Sequence, residues 1–93
     1  MVTLEDCLAF SGLTEDEILA IAEHEHIPEI AAAALAEYLL GQDDGPERIR
    51  RMIADDVRDA IARGDTEHAR TLGLALRHFL ETHPQVPRTA QQV

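Results

Sequence analysis

The residues of this chain best equipped for chemistry lie in one short run, Ala22-Glu23-His24-Glu25-His26-Ile27-Pro28-Glu29, where carboxylates and imidazoles crowd together. Glu23 and His26 stand three residues apart, so on a helix their side chains share a face. A carboxylate and an imidazole at that spacing can ligate one metal ion. His24 and Glu25 fall about 100° and 200° further round, out of reach of that ion unless the helix unwinds before Pro28. A third candidate ligand is Glu37, the lone charge between Ile30 and Leu40. Burying an unpaired carboxylate is costly, so Glu37 is expected to be exposed, protonated, paired with arginine or bound to metal.

One chain falls short of a full ligand set. Di-iron and di-manganese bundles use the Glu-x-x-His pairing twice and add one Glu from each of two further helices. The run from Glu23 to His26 resembles those ferritin-like sites over these positions alone. A two-fold dimer would double Glu23 and His26, and Glu37 from each protomer would supply the remaining carboxylates. The resemblance implies iron, manganese or zinc held by Glu23, His26 and Glu37, with oxidative or storage chemistry where two ions bind.

The other polar candidates read as structural. Asp65 and His68 share the same spacing, but Asp65 is better explained as a helix cap, with His68 facing solvent beside it. His78 and Glu81 read as a surface pair, and His83 as a cation near a helix C-terminus. Cys7, beside Leu4 and Leu8, reads as a small buried hydrophobe whose acidic neighbours disfavour a thiolate. Ser11 is the only serine and lacks a strand-turn-helix setting. No phosphate-cradling glycine run, dinucleotide fingerprint or zinc-ribbon spacing occurs. No complete catalytic set is present, which points away from an enzyme.

Charge separates the two halves of the 93 residues. Residues 1–47 carry twelve acids and no arginine or lysine, whereas residues 48–93 carry all eight arginines and six acids, for a total of −10. Such an acidic block raises the free energy of the compact state unless arginines, a cation or a basic partner offset it. Nucleic acid is not an expected partner, because Arg48-Ile49-Arg50-Arg51 is a short basic patch, flanked by Glu47 and lacking a stacking aromatic. A basic protein surface fits the acidic half better. No apolar run reaches the roughly 18 residues that a membrane span needs. The N-terminus lacks a secretory layout and the single cysteine builds no disulfide framework, so a cytoplasmic location is expected.

The elements that must position these residues follow from helix punctuation. Thr3 with Asp6 caps a short helix over about 4–10, ended by Ser11-Gly12. Thr14 with Glu17 forms a capping box, and Leu13 with Ile18 a hydrophobic staple, for a second helix to about residue 25. Pro28 suits the first turn of a third, which runs to Leu40 and stops at Gly41 as a left-handed terminator. Pro46 opens a fourth helix that closes on Gly64, and Asp65 caps a fifth that ends before Pro84.

The fourth helix carries an apolar stripe of Ile49, Met52, Ile53, Val57, Ala60 and Ile61. The fifth carries Ala69, Leu72, Leu76, Phe79 and Leu80, so the two predict an antiparallel hairpin. The expected fold is all-α: a bundle of about five helices forming one domain over 1–83, with 84–93 a flexible or draped tail. The third helix is apolar all round, which predicts homodimerisation through residues 28–40, helped by the small side chains Ala31 to Ala34. The function expected from these features is a non-catalytic, dimeric protein-interaction module, with a dimer-completed metal site as the alternative.

Overall fold

The computed structural model describes residues 12–84, which form four helices and, among the described residues, no strand. The helix expected over 4–10, with Cys7 and Ser11, and the tail beyond Pro84 lie outside the described residues. The chain is all-α, as its periodicity predicts.

Helix α1 spans Glu15–Glu25. Its capping box is present in both directions: the Glu17 N–H donates to Thr14 Oγ1 at 3.3 Å and the Thr14 N–H to Glu17 Oε1 at 2.8 Å. Leu13 and Ile18, the two staple positions, are both buried in the core. His26 ends the helix in the left-handed conformation, with φ 57°, an unusual place for a residue with a β-carbon. Helix α2, Glu29–Leu40, starts with Pro28 at its N-cap, whose carbonyl accepts the Ala32 N–H at 3.0 Å.

The joint after α2 corrects one expectation. Gly41 is right-handed, with φ −83°, and needs no glycine for its conformation. The turn is instead closed by the Gln42 N–H donating to the Leu39 carbonyl at 2.9 Å. The indispensable glycine is Gly45, where a β-carbon would lie 1.4 Å from the same Leu39 carbonyl oxygen. The two backbones meet there with no room for a side chain.

Helix α3 spans Gly45–Ala62, with Pro46 in its first turn, and α4 spans Thr66–Thr82, with Asp65 capping it by accepting the His68 N–H at 3.2 Å. Gly64 supplies the left-handed step between them, with φ 76°. These two helices form the most extensive helix–helix contact in the fold. Ile49, Met52, Ile53 and Ala60 from α3 face Leu72, Phe79 and Leu80 in the core cluster. Ile61, read as part of the α3 stripe, is instead 62% exposed, since it stands about 100° round the helix from the fully buried Ala60.

Helix α2 packs on α1 and α3. Ala32, Ala33, Ala36 and Leu39 are fully buried on that side. Among the described residues nothing covers its other side: Ile30 is 47% and Tyr38 62% exposed, with Ala31, Ala34 and Glu37 exposed between them. The helix is thus apolar on both faces but covered on one.

Candidate functional site

The titratable side chains gather along the seam where α1 lies against the α3–α4 hairpin. α1 packs on all three other helices, so the polar positions of its inward face have neighbours, while Glu15, Asp16 and Glu25 are exposed. Glu17, Ala20, Ile21 and His24 follow the three- and four-residue spacing of its inward face. Glu17 is 0% exposed. Its Oε1 serves the capping box, and its Oε2 accepts a hydrogen bond from His78 Nδ1 of α4 at 2.8 Å. That bond and the charges of Glu17 and Glu81 raise the His78 pKa above its ordinary value, against a small opposing effect of burial.

Further along α1, Glu23 pairs with His68 of α4, Oε1 to Nε2 at 2.5 Å. The next residue, His24, lies with Nδ1 2.9 Å from Glu25 Oε2 and with Nε2 3.3 Å from Asp55 Oδ2 of α3. Burial pulls the His24 pKa down, but hydrogen bonds to Glu25 and Asp55 and the charge of Asp56 outweigh it, and the net shift is upward. A surface groove lined by His24, Arg48, Arg51, Met52 and Asp55 opens beside this contact.

Asp56 is the least comfortable group in the seam. It is 3% exposed, and its Oδ2 has no hydrogen-bond partner. Burial first, then repulsion from Glu23, Asp59 and Asp55, offset in part by His24, pushes its pKa up to about 7. Nothing in our sequence reading singled it out, although the signal was there. Asp56 is seven residues after Ile49, three after Ile53 and four before Ala60, squarely on the apolar stripe of α3. At the α1–α2 corner, burial and the carboxyl of Glu15 likewise push Glu29 above its usual range.

The three residues read as metal ligands are dispersed. Glu23 is engaged by His68, His26 is an exposed helix terminator, and Glu37 is exposed on the outer side of α2. Among the described residues no three His, Cys, Asp or Glu side chains converge where a metal ion could sit.

Two histidines also differ from their sequence reading. His68 is only partly exposed and reaches across to α1. His78 pairs with Glu17 rather than Glu81, which instead meets Arg77 at 3.6 Å. Partners 45 and 61 positions away are invisible to local spacing. His83 stands at the C-cap of α4 as read, with Nδ1 3.0 Å from the Phe79 carbonyl oxygen and its ring stacked on Phe79, centroids 4.2 Å apart.

The short basic patch is largely spent within its own helix. Arg50 is 7% exposed and donates to both oxygens of Glu47, the shortest contact being 2.7 Å, while Arg51 lies 3.6 Å from the same carboxylate. The Arg50 guanidinium in turn holds the Glu47 carboxyl below the usual range. No serine or cysteine occurs between residues 12 and 84 to stand as a nucleophile beside the oriented imidazoles. Among the described residues no helix is long and apolar enough to cross a membrane. No protein-family model, curated protein or solved structure matches the chain.

Proposed function

We propose that this chain is a non-catalytic interaction module that pairs with a second copy of itself through the outer side of α2 and presents its acidic half to a basic protein surface in the cytoplasm. The observation that carries the reading is the uncovered apolar stripe of α2. Ile30, Ala34 and Tyr38 stand at four-residue intervals, so they line up along the helix, and both large members are about half exposed or more. A large aliphatic beside a tyrosine, separated by alanines that admit a close neighbour, is the composition of an interface centre. A standard interface takes about 800 Å² from each partner, a modest share of the 5820 Å² surface.

The acidic side supports the second contact. Between Gly12 and Glu47 the chain carries no arginine or lysine, and Glu15, Asp16, Glu25 and Glu37 of α1 and α2 face outward. A basic surface would gain from that field most at low salt.

Sedimentation at micromolar concentration tests the pairing. A dimer is expected, and Ile30→Asp or Tyr38→Asp should shift it to monomer while the helical circular dichroism stays the same. A wild-type chain that sediments as a monomer throughout the micromolar range would remove the stated role of α2.

A further inference from the structure

Arginine and histidine divide the ion pairing of this molecule between them. Among the described residues, every arginine pair stays within its own helix: Arg50 and Arg51 with Glu47, Arg58 with Asp55, Arg77 with Glu81. Every pair that joins two helices is a histidine with a carboxylate: His24 with Asp55, His68 with Glu23, His78 with Glu17. All three of those join α1 to the hairpin. The attachment of one helix therefore depends on imidazoles, whereas the helices it rests on do not.

We propose that His78 is a proton-operated latch: protonated, it pins the first turn of α1 to the C-terminal half of α4; deprotonated, it lets that turn open while the α3–α4 hairpin stays folded.

The geometry singles out this bridge. Glu17 is wholly enclosed, and a carboxylate removed from water needs a compensating charge as well as hydrogen bonds. One of its oxygens is satisfied by a neutral backbone N–H, and the other meets His78. The His78 side chain is 46% exposed, so its ring exchanges protons with water without any opening of the fold. From α1 it faces Glu17 and on its own helix Glu81, and no charged group of α2 or α3 acts on it.

A histidine whose folded pKa lies above its unfolded value contributes stability that is complete below the unfolded value and is lost as pH rises through the folded one. The latch is thus closed on the acid side of neutrality and released on the alkaline side. The hairpin's large contacts, Ile49, Ile53, Leu72 and Phe79, carry no charge, and Asp56, whose carboxyl is pushed up to about 7, is the hairpin carboxylate that titrates near neutrality and is removed in the test below. Loss of the charge consequently acts on α1 first, a local opening below the global unfolding free energy.

Amide hydrogen exchange on the full chain, followed by NMR from pH 6 to 8.5 and corrected for the intrinsic rate, reads this directly. With Asp56→Asn as the background, so that no hairpin carboxyl titrates in the range, protection of the Ile18 and Ile21 amides should fall about tenfold for each unit by which the folded His78 pKa exceeds its unfolded value, while Ile53 and Phe79 keep theirs. His78→Gln should show the low α1 protection at both ends of the range, and His78→Arg the high protection at both. In the wild-type chain the His78 ring should titrate above 6.5. α1 protection that does not change with pH, that falls equally in His78→Arg, or a His78 ring titrating at or below 6.5 would each overturn the latch. The last measurement needs no variant to fold.

Discussion

The α3–α4 hairpin and the α1–α2 pair bury their apolar surface differently. In the hairpin, large side chains interdigitate: Ile49, Ile53 and Phe79 are fully enclosed, and arginine–carboxylate pairs run along each helix without tying it to a neighbour. In the other pair, α2 meets α1 and α3 mainly with alanines, and α1 is held by its isoleucines and by histidine bridges. The contrast teaches that one short chain can hold its two regions by different ion pairs, fixed arginines within the hairpin helices and titratable histidines across to α1. The acidic half has no fixed cation of its own, so it borrows protonatable ones.

The strongest way to break this contrast is to attack the hairpin. Phe79→Ala removes a fully enclosed ring from the middle of the hairpin, and should cost about 3–5 kcal/mol. Chemical denaturation should show the whole helical signal lost in one earlier transition; a variant that retains α4 but loses α1 would reverse the ranking of the two regions. Close behind comes Gly45→Ala at the joint between the halves. Its new β-carbon would meet the Leu39 carbonyl, and because that carbonyl is backbone and cannot rotate away the cost should reach about 3 kcal/mol. Thermal melts that match the wild type would show that α2 and α3 can part at that point.

Asp56 sharpens the comparison from inside the seam. Its folded pKa of about 7 exceeds the ordinary 3.8, so the folded state binds its proton more tightly than the unfolded one. Stability from this group is present at low pH, declines as pH rises from about 4 to 7, and is gone above the folded value. Asp56→Asn should therefore stabilise the chain at pH 8 by about 2 kcal/mol, less than the full linkage because the amide also lacks a partner. At pH 4 the gain should vanish. Melting temperatures at the two pH values check both sign and window, and a loss at pH 8 would mean that the carboxylate has a role as an anion.

The smallest effect is expected for Arg58→Ala. Its pair with Asp55 lies within one exposed stretch of α3, and such pairs contribute within about 0.5 kcal/mol. A larger loss would mean that Arg58 steadies Asp55 against His24, coupling the two ion-pair systems through the carboxylate they share.

The fold was legible in the sequence to the extent that its determinants are local. Thr14 with Glu17, Pro46, Gly64 and Asp65 act over four residues or fewer, and each stands where its type requires. The apolar stripes of α3 and α4 identified the hairpin for the same reason. Gly41 misled because two glycines flank one loop, and only three-dimensional approach shows that the close contact belongs to Gly45.

The candidate site was much less legible. Spacing along a helix finds partners three or four residues away, but Glu17 and His78 are separated by 61 positions and Glu23 and His68 by 45. Glu23 was singled out as a ligand beside His26, whereas its partner in the structure, His68, comes from another helix. Asp56 was hidden by its own chemistry, since an aspartate on an apolar stripe is easily passed over as a solvated charge. Where a carboxylate falls in phase with isoleucines, burial is the better expectation.

The contact between Gly45 and the end of α2 has a consequence for tracing ancestry. A lineage can exchange most of the outward-facing letters of this chain without disturbing how it folds, yet any descendant keeping this corner must leave position 45 bare. An alanine-rich segment followed within a few residues by Gly-Pro and then an arginine-bearing amphipathic segment is therefore a signature for screening genomes for kin too diverged to align.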